Sequence, residues 1–310
     1  MSSPAPKPAP KPAPSPATKP TPAQGQTLAP GLYLLPSPLG NLADLSQRFV
    51  QIASAASVIA AEDTRRTLKL LNHLGLKKKL YSYREENHRT ILPSLLRHLA
   101  QGEIVAYLSD AGAPCVADPG AGLVSEARNS GFAVFPIPGP SAVITALMAS
   151  GFEASSFTFL GFLSPKSESR QKYLESIKDR PEPIIIFIPP HKLLATLEDL
   201  LKVLGPRPAL MAREMTKLHE EYLALNLDQL LSEVTKKPRR GELTLVIGPN
   251  QAKSPISLEP PSPELIEQIK NDSRPTKEVA AHYAQTQGLS KKALYHLILE
   301  IRKKQTLDHE

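Results

Sequence analysis

Short apolar runs alternate with amphipathic segments through most of this chain, and that alternation limits the folds open to it. Within residues 28–152, the apolar runs predict strands at 31–36, 57–61, 80–83, 104–108 and 133–137. Apolar residues at helical spacing occupy the intervals, at 43–54, 64–74, 90–100 and 119–130. Strands and helices that alternate in this way form a mostly parallel sheet with helices on both faces.

A second α/β unit is predicted over residues 153–250. Its strand-like runs are FTFLGFL, IIIFIP, ALMARE, EEYLAL and GELTLVIG, and helices are expected at 167–178, 193–204 and 227–234. The close succession of the runs near Arg213 and Glu221 predicts an antiparallel pair. The expected fold class is therefore α/β, with two α/β domains of mostly parallel or mixed sheets and a small C-terminal helical module.

Proline-rich segments flank the two predicted domains. Residues 1–27 alternate Pro, Ala and Lys, a composition that has little to bury and predicts a disordered tail. Residues 251–262 predict a linker to a module at 263–310, where amphipathic segments joined near Gly288 and Ser290 resemble a helix-turn-helix. Its basic residues could contact the phosphates of a nucleic acid, and a small helical cap with a solvated basic face is the alternative.

Composition excludes several classes of protein. Cys115 is the one cysteine of the sequence, so no internal disulfide can form, which favours a reducing, cytoplasmic location. No apolar run reaches the roughly 20 residues that cross a bilayer, and the N-terminus lacks a signal-peptide core. The net charge of +7 is compatible with an RNA partner without requiring one. No metal site is expected, because no Cys/His set has metal-ligand spacing.

Four polar or glycine-containing loops follow predicted strands of the first domain. They are SPLGN at 37–41, AEDTRR at 61–66, SDAGAP at 109–114 and PGPSA at 138–142. Ligands of open α/β sheets bind at the carboxyl ends of strands, so the loops predict one ligand site. Each loop also has an ordinary interpretation: Asp63, Thr64 and Asp118 are plausible helix caps, and Pro140 can open a small-residue helix. None matches a dinucleotide or Walker phosphate loop.

Seven motifs together resemble a known family. In chain order they are SPLGNLADLS, AEDTRRTLKLL, SDAGAPCVADPG, PGPSAVITAL, GFLSPK, AREMTKLHEE and GELTLVI. This series, within residues 31–247, resembles the ribosomal RNA small subunit methyltransferase I family of the tetrapyrrole-methylase-like group. The resemblance implies two α/β domains with S-adenosylmethionine in the cleft between them, usually in a homodimer. It also implies 2′-O-methylation of a cytidine in 16S rRNA of the small ribosomal subunit, with neither DNA nor a membrane as partner.

The resemblance further implies which residues bind the cofactor. In the first domain they are Pro38, Ser109, Asp110, Ala111, Gly112, Pro114, Ser141 and Ala142. In the second domain they are Met211, Arg213, Glu214, Gly241, Glu242 and Leu243. A sulfonium donor needs a snug polar pocket and no phosphate loop, which suits the loops of this chain.

Methyl transfer to a ribose hydroxyl also needs a proton acceptor and groups that hold the ribose or phosphate. Our candidates for catalysis are Asp63 and Glu85 as acceptors, with Arg65 and Lys217, helped by Arg66, as phosphate or ribose ligands. Two other functions stay open: methylation of a tetrapyrrole precursor, and a non-catalytic rRNA-binding assembly factor. The first loop SPLGN, in place of a glycine-rich one, and the basic C-terminal module favour RNA.

Two segments depart from the family's pattern. YREEN at 83–87 stands where the family commonly has Tyr-His-x-His-Asn, which argues against a histidine base. IPPHK at 188–192 stands where Glu-Ser-Pro-His-Arg is frequent. Ile188 removes a carboxylate there, and Lys192 replaces a forked guanidinium by a point charge. The contacts of this second segment stay open on the sequence alone.

Overall fold

The computed structural model describes residues 28–250, 263–287, 294–295, 297–299 and 301–302. The predicted tail at 1–27, the predicted linker at 251–262, and Gly288 and Ser290 of the C-terminal module lie outside the described residues. No helix in the described ranges is both long and apolar enough to cross a membrane.

The first domain is built on a parallel sheet. Its elements are β1 (Gly31–Leu35), α1 (Gln47–Ala55), β2 (Val58–Ala61), α2 (Thr64–His73), β3 (Lys79–Ser82), α3 (His88–Ala100), β4 (Ile104–Leu108), α4 (Gly120–Asn129), β5 (Val134–Pro136) and α5 (Ala142–Ser150). The strand order is β3-β2-β4-β1-β5, with every neighbouring pair parallel. Helices α1 and α2 cover one face, and α3 and α4 cover the other. The predicted strands are confirmed, with ends that differ by one residue.

Two helices of this domain begin later than predicted. The helix expected over 43–54 is interrupted at Ser46, whose hydroxyl accepts a hydrogen bond from the Phe49 backbone N–H at 3.1 Å and starts α1 anew. Helix α5 begins after Ser141 rather than at Pro140, because the Ser141 hydroxyl caps its first turn. A capping hydroxyl thus fixes a helix start that apolar spacing alone does not locate.

The second domain is built on a mixed sheet. Its elements are β6 (Thr158–Phe162), α6 (Ser167–Ile177), β7 (Ile184–Ile188), α7 (Leu193–Leu204), β8 (Pro208–Arg213), β9 (Glu221–Asn226), α8 (Leu227–Lys236) and β10 (Leu243–Ile247). The strand order is β6-β7-β10-β8-β9, in which β6 and β7 are parallel and the other neighbours antiparallel. Arg213 lies opposite Glu221, which confirms the predicted antiparallel pair.

The two domains meet through an apolar interface. Helices α6, α7 and α8 cover one face of the second sheet. The opposite face packs on the first domain, where Ile185 and Val246 meet Leu39, Val143 and Ala146. Because each range contains one sheet with its own core, we propose 28–152 and 153–250 as the domain boundaries.

The described part of the C-terminal module contains α9 (Pro263–Lys270) and α10 (Thr276–Gln287). Ile269, Val279 and Ile298 are fully buried against one another in a separate small core. We therefore propose that residues 263–310 form a unit distinct from the two α/β domains.

Candidate active site

A cleft of about 580 Å³ lies between the two sheets. The first domain contributes the loops after β1, β2 and β4 and the start of α5. The second domain contributes the loops after β7 and β8 and the start of β10. The cleft thus lies at the carboxyl ends of the parallel strands, as the four loops predicted. Among the residues that line it are these predicted cofactor ligands: Ser109, Asp110, Ala111, Ala142, Glu214, Gly241, Glu242 and Leu243.

The remaining predicted cofactor residues lie elsewhere. Pro38 lines an adjoining cavity of about 220 Å³ that shares Ser109 and Asp110 with the cleft. The others, which line neither volume, are Gly112, Pro114, Ser141, Met211 and Arg213. Met211 is fully buried in the core of the second domain, and Arg213 donates from Nε to the Arg240 carbonyl at 2.7 Å.

Hydrogen bonds join the loop after β1 to the loop after β4. The Ser37 N–H donates to the Gly112 carbonyl at 3.0 Å, and the Gly112 N–H donates back to the Ser37 carbonyl at 2.8 Å. The Ser109 hydroxyl also donates to the Gly112 carbonyl, at 2.7 Å. Gly112 has φ +75°, and a Cβ there would lie 3.3 Å from Leu39 Cδ2. Gly112 therefore affects the cleft indirectly, because its conformation allows the loops after β1 and β4 to form hydrogen bonds with each other.

Asp110 anchors the loop after β2. Its Oδ1 accepts a hydrogen bond from the Asp63 backbone N–H at 2.8 Å, and its Oδ2 lies 3.8 Å from Arg66 Nε. Arg66 Nη1 also lies 4.0 Å from Glu242 Oε1 of the second domain. The guanidinium of Arg66 thus lies between carboxylates of both domains.

Lys217 forms ion pairs with two glutamates of the second-domain wall. Its Nζ lies 3.0 Å from Glu214 Oε1 and 3.0 Å from Glu242 Oε2, while the Glu242 N–H donates to Glu214 Oε1 at 2.7 Å. Burial lowers the pKa of Lys217, but hydrogen bonds to these two carboxylates outweigh it and raise the pKa above its ordinary value. Gly40 leaves room for the Lys217 stem, since a Cβ there would collide with Cγ. The predicted phosphate ligand Lys217 therefore already carries two carboxylate partners.

None of the predicted catalytic residues Asp63, Arg65, Glu85 and Lys217 lines the cleft itself. Asp63 caps α2, and both of its oxygens bind the Arg65 side chain, at 3.1 Å from Nε and 2.8 Å from Nη2. These hydrogen bonds hold the pKa of Asp63 well below its ordinary value, which makes its carboxylate a weak proton acceptor. Glu85 is exposed in the loop after β3.

Glu62 is a cleft residue that we did not single out from the sequence. Its side chain lines the cleft immediately after β2. Burial, followed by the charges of Asp110 and Asp118, raises the pKa of Glu62 above its ordinary value. Within the described ranges, its carboxylate has no hydrogen-bond or ion-pair partner. Asp118 differs, because it accepts hydrogen bonds from the Tyr107 hydroxyl at 2.9 Å and the Gly120 N–H at 2.7 Å.

Strained backbone is concentrated in two loops of the cleft. Among the described residues, those other than glycine with positive φ are Cys115, Ala117, Glu214 and Thr216. Ala117 and Glu214 line the cleft themselves. Such conformations cost free energy and accumulate where a site needs a particular backbone path. This feature supports the cleft as the functional site.

Comparison with known proteins identifies the family. The tetrapyrrole (corrin/porphyrin) methylases match residues 31–231. A curated relative from Neisseria meningitidis serogroup B is 39% identical over 275 residues, which is 88% of this chain and 94% of the relative. A relative from Escherichia coli O157:H7 is 38% identical over 281 residues, covering 90% and 96%. Both bear the name ribosomal RNA small subunit methyltransferase I. The chain belongs to this family.

Solved structures of low sequence identity share the fold of this chain. Cobalt precorrin-4 methyltransferase superimposes with a TM-score of 0.54 at 13% identity, covering 70% of this chain and 94% of its own. Uroporphyrin-III C-methyltransferase from Thermus thermophilus, complexed with S-adenosyl homocysteine, gives 0.51 at 20% identity, covering 70% and 96%. These likenesses confirm the fold class that the sequence predicted.

Proposed function

We propose that this protein transfers a methyl group from S-adenosylmethionine to the 2′-hydroxyl of a cytidine in 16S rRNA of the small ribosomal subunit. The observation that carries the proposal is the cleft, because residues predicted to bind the cofactor line it from both domains. The chain also belongs to a family of methyltransferases. Relatives named for small-subunit rRNA support the acceptor. A cytoplasmic location belongs to the same proposal, because its substrate is there.

The chemistry of the cleft fits S-adenosylmethionine. Carboxylates of Glu62, Asp110 and Asp118 face a volume that also has apolar walls, among them Leu39 and Val116. Carboxylates stabilise a sulfonium cation, and apolar walls suit the adenine ring and the methionine chain. When bound, the cofactor supplies an electrophilic methyl group. Asp110 and Ala111 would hold it from the first domain.

Glu62 is the proton acceptor in this proposal. A 2′-hydroxyl becomes a competent nucleophile as it loses its proton, and a good acceptor has a free lone pair and a pKa near the working pH. The carboxylate of Glu62 is unpartnered in the described part of the chain, and burial moves its pKa upward from its ordinary value, toward the working pH. The Oε atom of Glu62 would take the proton of the 2′-hydroxyl as that oxygen accepts the methyl group, and S-adenosyl homocysteine would be released as the other product.

Comparison of Glu62→Gln with Glu85→Gln tests this role. Glu62→Gln should lower kcat by about 10²- to 10⁴-fold. Glu85→Gln, the matched change at an exposed carboxylate, should leave kcat unchanged. The wild-type rate should fall as the pH falls through the raised pKa of Glu62, since the protonated carboxyl accepts no proton. A Glu62→Gln enzyme with wild-type kcat would assign the base elsewhere.

The homodimer is also part of the proposal, and α5 supports it. Ile144 and Met148 lie one turn apart on the outer face of α5, with 45% and 78% of their surfaces exposed. The inner face of α5 is already buried on the second sheet, so the helix is apolar on both sides. Met148→Asp should shift the protein from dimer to monomer in light scattering. A wild-type monomer, or a Met148→Asp dimer, would contradict the assignment.

The rival functions are separated by one experiment. S-adenosylmethionine labelled in its methyl group is incubated with the protein, small ribosomal subunits and a porphyrinogen. Label in RNA supports the proposal, whereas label only in the porphyrinogen supports tetrapyrrole methylation. Absence of label in both would favour the non-catalytic assembly factor.

A further inference from the structure

A side cavity of about 230 Å³ opens from the cleft beside β6 and β7. It shares Phe162, Phe187 and Pro189 with the cleft, so the two volumes meet at these side chains. Its other walls come from the motif GFLSPK after β6 and from IPPHK after β7, the segment whose contacts the sequence left open. The methyl donor, as proposed above, makes no use of this cavity.

Two aromatic side chains, Phe162 and Phe187, lie where the side cavity meets the cleft. Phe162 is 58% exposed, although phenylalanine is ordinarily buried. Its ring lies 5.5 Å from the ring of Phe187, centroid to centroid, at an interplanar angle of 57°. A solvent-accessible aromatic ring at a cavity mouth is suited to stacking on a planar group, as in proteins that bind unpaired nucleobases.

The charges around the cavity favour an anion. The buried Arg170 is already neutralised, because its Nε donates to Asp199 Oδ2 at 2.7 Å. The ammonium group of Lys192, in contrast, has no hydrogen-bond or ion-pair partner within the described ranges, although the Lys192 backbone N–H donates to the Pro189 carbonyl at 2.8 Å. Helix α7 begins at the next residue, with no acidic side chain in its first turn, so its positive end adds to the same field.

We propose that the side cavity binds the acceptor nucleotide, with its base stacked on Phe162 and a neighbouring phosphate at Lys192. The inference rests on the proposed function, because it assigns a binding site to the RNA substrate. A base that stacks at the junction leaves its ribose at the cleft, where the methyl donor and Glu62 lie. The ligand must be an unpaired nucleotide, because a base in a duplex has no free face.

Two substitutions test the assignment in the full-length protein, with labelled S-adenosylmethionine and unmethylated small ribosomal subunits. Phe162→Ala should raise the KM for subunits by about 5- to 150-fold, the range for loss of one stacked base. Phe162→Tyr should stay near wild type, because it keeps the ring. Tyr173→Ala is the matched control, since Tyr173 is an exposed aromatic residue of α6 that lines neither volume. Lys192→Ala should weaken RNA binding and reduce its logarithmic salt slope by about 1.

Two results would overturn the assignment. One is a wild-type KM for subunits in both Phe162→Ala and Lys192→Ala. The other is a loss of S-adenosyl homocysteine affinity in Phe162→Ala, measured by calorimetry, as large as the loss for RNA, because Phe162 would then serve the cofactor. If the wild type transfers no label to RNA, the proposed function fails first. Titration of a fluorescent single-stranded RNA then still tests the cavity, and equal affinity in wild type and Phe162→Ala rejects it.

Discussion

Replacing Gly241 by alanine tests the geometry of the second-domain wall. Gly241 has φ +100°, and an added Cβ would lie 2.5 Å from Glu214 Oε1 and 2.6 Å from Glu214 Cγ. The Glu214 side chain can move away only by giving up hydrogen bonds to Lys217 Nζ, at 3.0 Å, and to the Glu242 N–H, at 2.7 Å. The substitution therefore disturbs both the backbone and a network that lines the cleft.

Two contributions set the size of the effect. A positive φ costs an alanine residue about 1–2 kcal/mol. Loss of a hydrogen bond to a charged group costs about 1.5–3 kcal/mol. Two such bonds of Glu214 would break, but we count only one, because the side chain is 19% exposed and water can replace part of what is lost. The free energy of unfolding should fall by about 2.5–5 kcal/mol. Affinity for S-adenosyl homocysteine should fall at least about 10-fold, since the displaced carboxylate lines the cleft.

Gly131→Ala is the matched control. Gly131 has φ +81°, but a Cβ there would meet no atom within 4 Å. This variant should lose only the backbone contribution of about 1–2 kcal/mol and should bind S-adenosyl homocysteine normally. Urea unfolding and calorimetry measure both quantities. An equal loss of stability in the two variants, with unchanged affinity, would refute the role assigned to Glu214.

Three further predictions follow from the described contacts. Asp110→Ala should weaken S-adenosyl homocysteine binding at least about 10-fold in calorimetry while RNA retention on filters stays unchanged; an equal loss of RNA binding would contradict this. Arg170→Met should lower the free energy of unfolding by about 3–5 kcal/mol, because it leaves the buried Asp199 carboxylate with hydrogen bonds from Ser167 and Gln171 but without its cationic partner, and a variant as stable as wild type would argue against that ion pair. Burial and the charge of Asp118 raise the pKa of Cys115 to about 11, so iodoacetamide at pH 8 should label the native protein far more slowly than the urea-unfolded protein; equal rates would count against this environment.

Strand positions and the loops that follow them could be predicted from the sequence, because apolar runs and turn residues mark them directly. The direction of the Met211 side chain could not be predicted in this way. Leu210 and Ala212 face the first domain, whereas Met211 points into the opposite core layer. Successive residues of a strand alternate in direction, but the run ALMAR is apolar on both sides. Only the packed second domain decides which side chains reach the interface.

Glu62 and Asp63 show a second limit. Both acids follow β2, and on the sequence alone we chose Asp63, not Glu62, as a candidate proton acceptor. In the structure, Asp63 caps α2 and binds Arg65, while the Glu62 side chain lines the cleft and its carboxylate has no hydrogen-bond or ion-pair partner in the described residues. The difference depends on the loop backbone and on Asp110, a residue distant in sequence that holds the Asp63 N–H. Local sequence patterns do not predict that contact.

The reaction proposed for the cleft is methylation of the 2′-oxygen of a cytidine in small-subunit rRNA. Its most direct test is mass spectrometry of nucleosides digested from small ribosomal subunits after reaction with methyl-labelled S-adenosylmethionine and the wild-type protein. We expect label in 2′-O-methylcytidine. Label in a base-methylated nucleoside, or in no nucleoside, would contradict it.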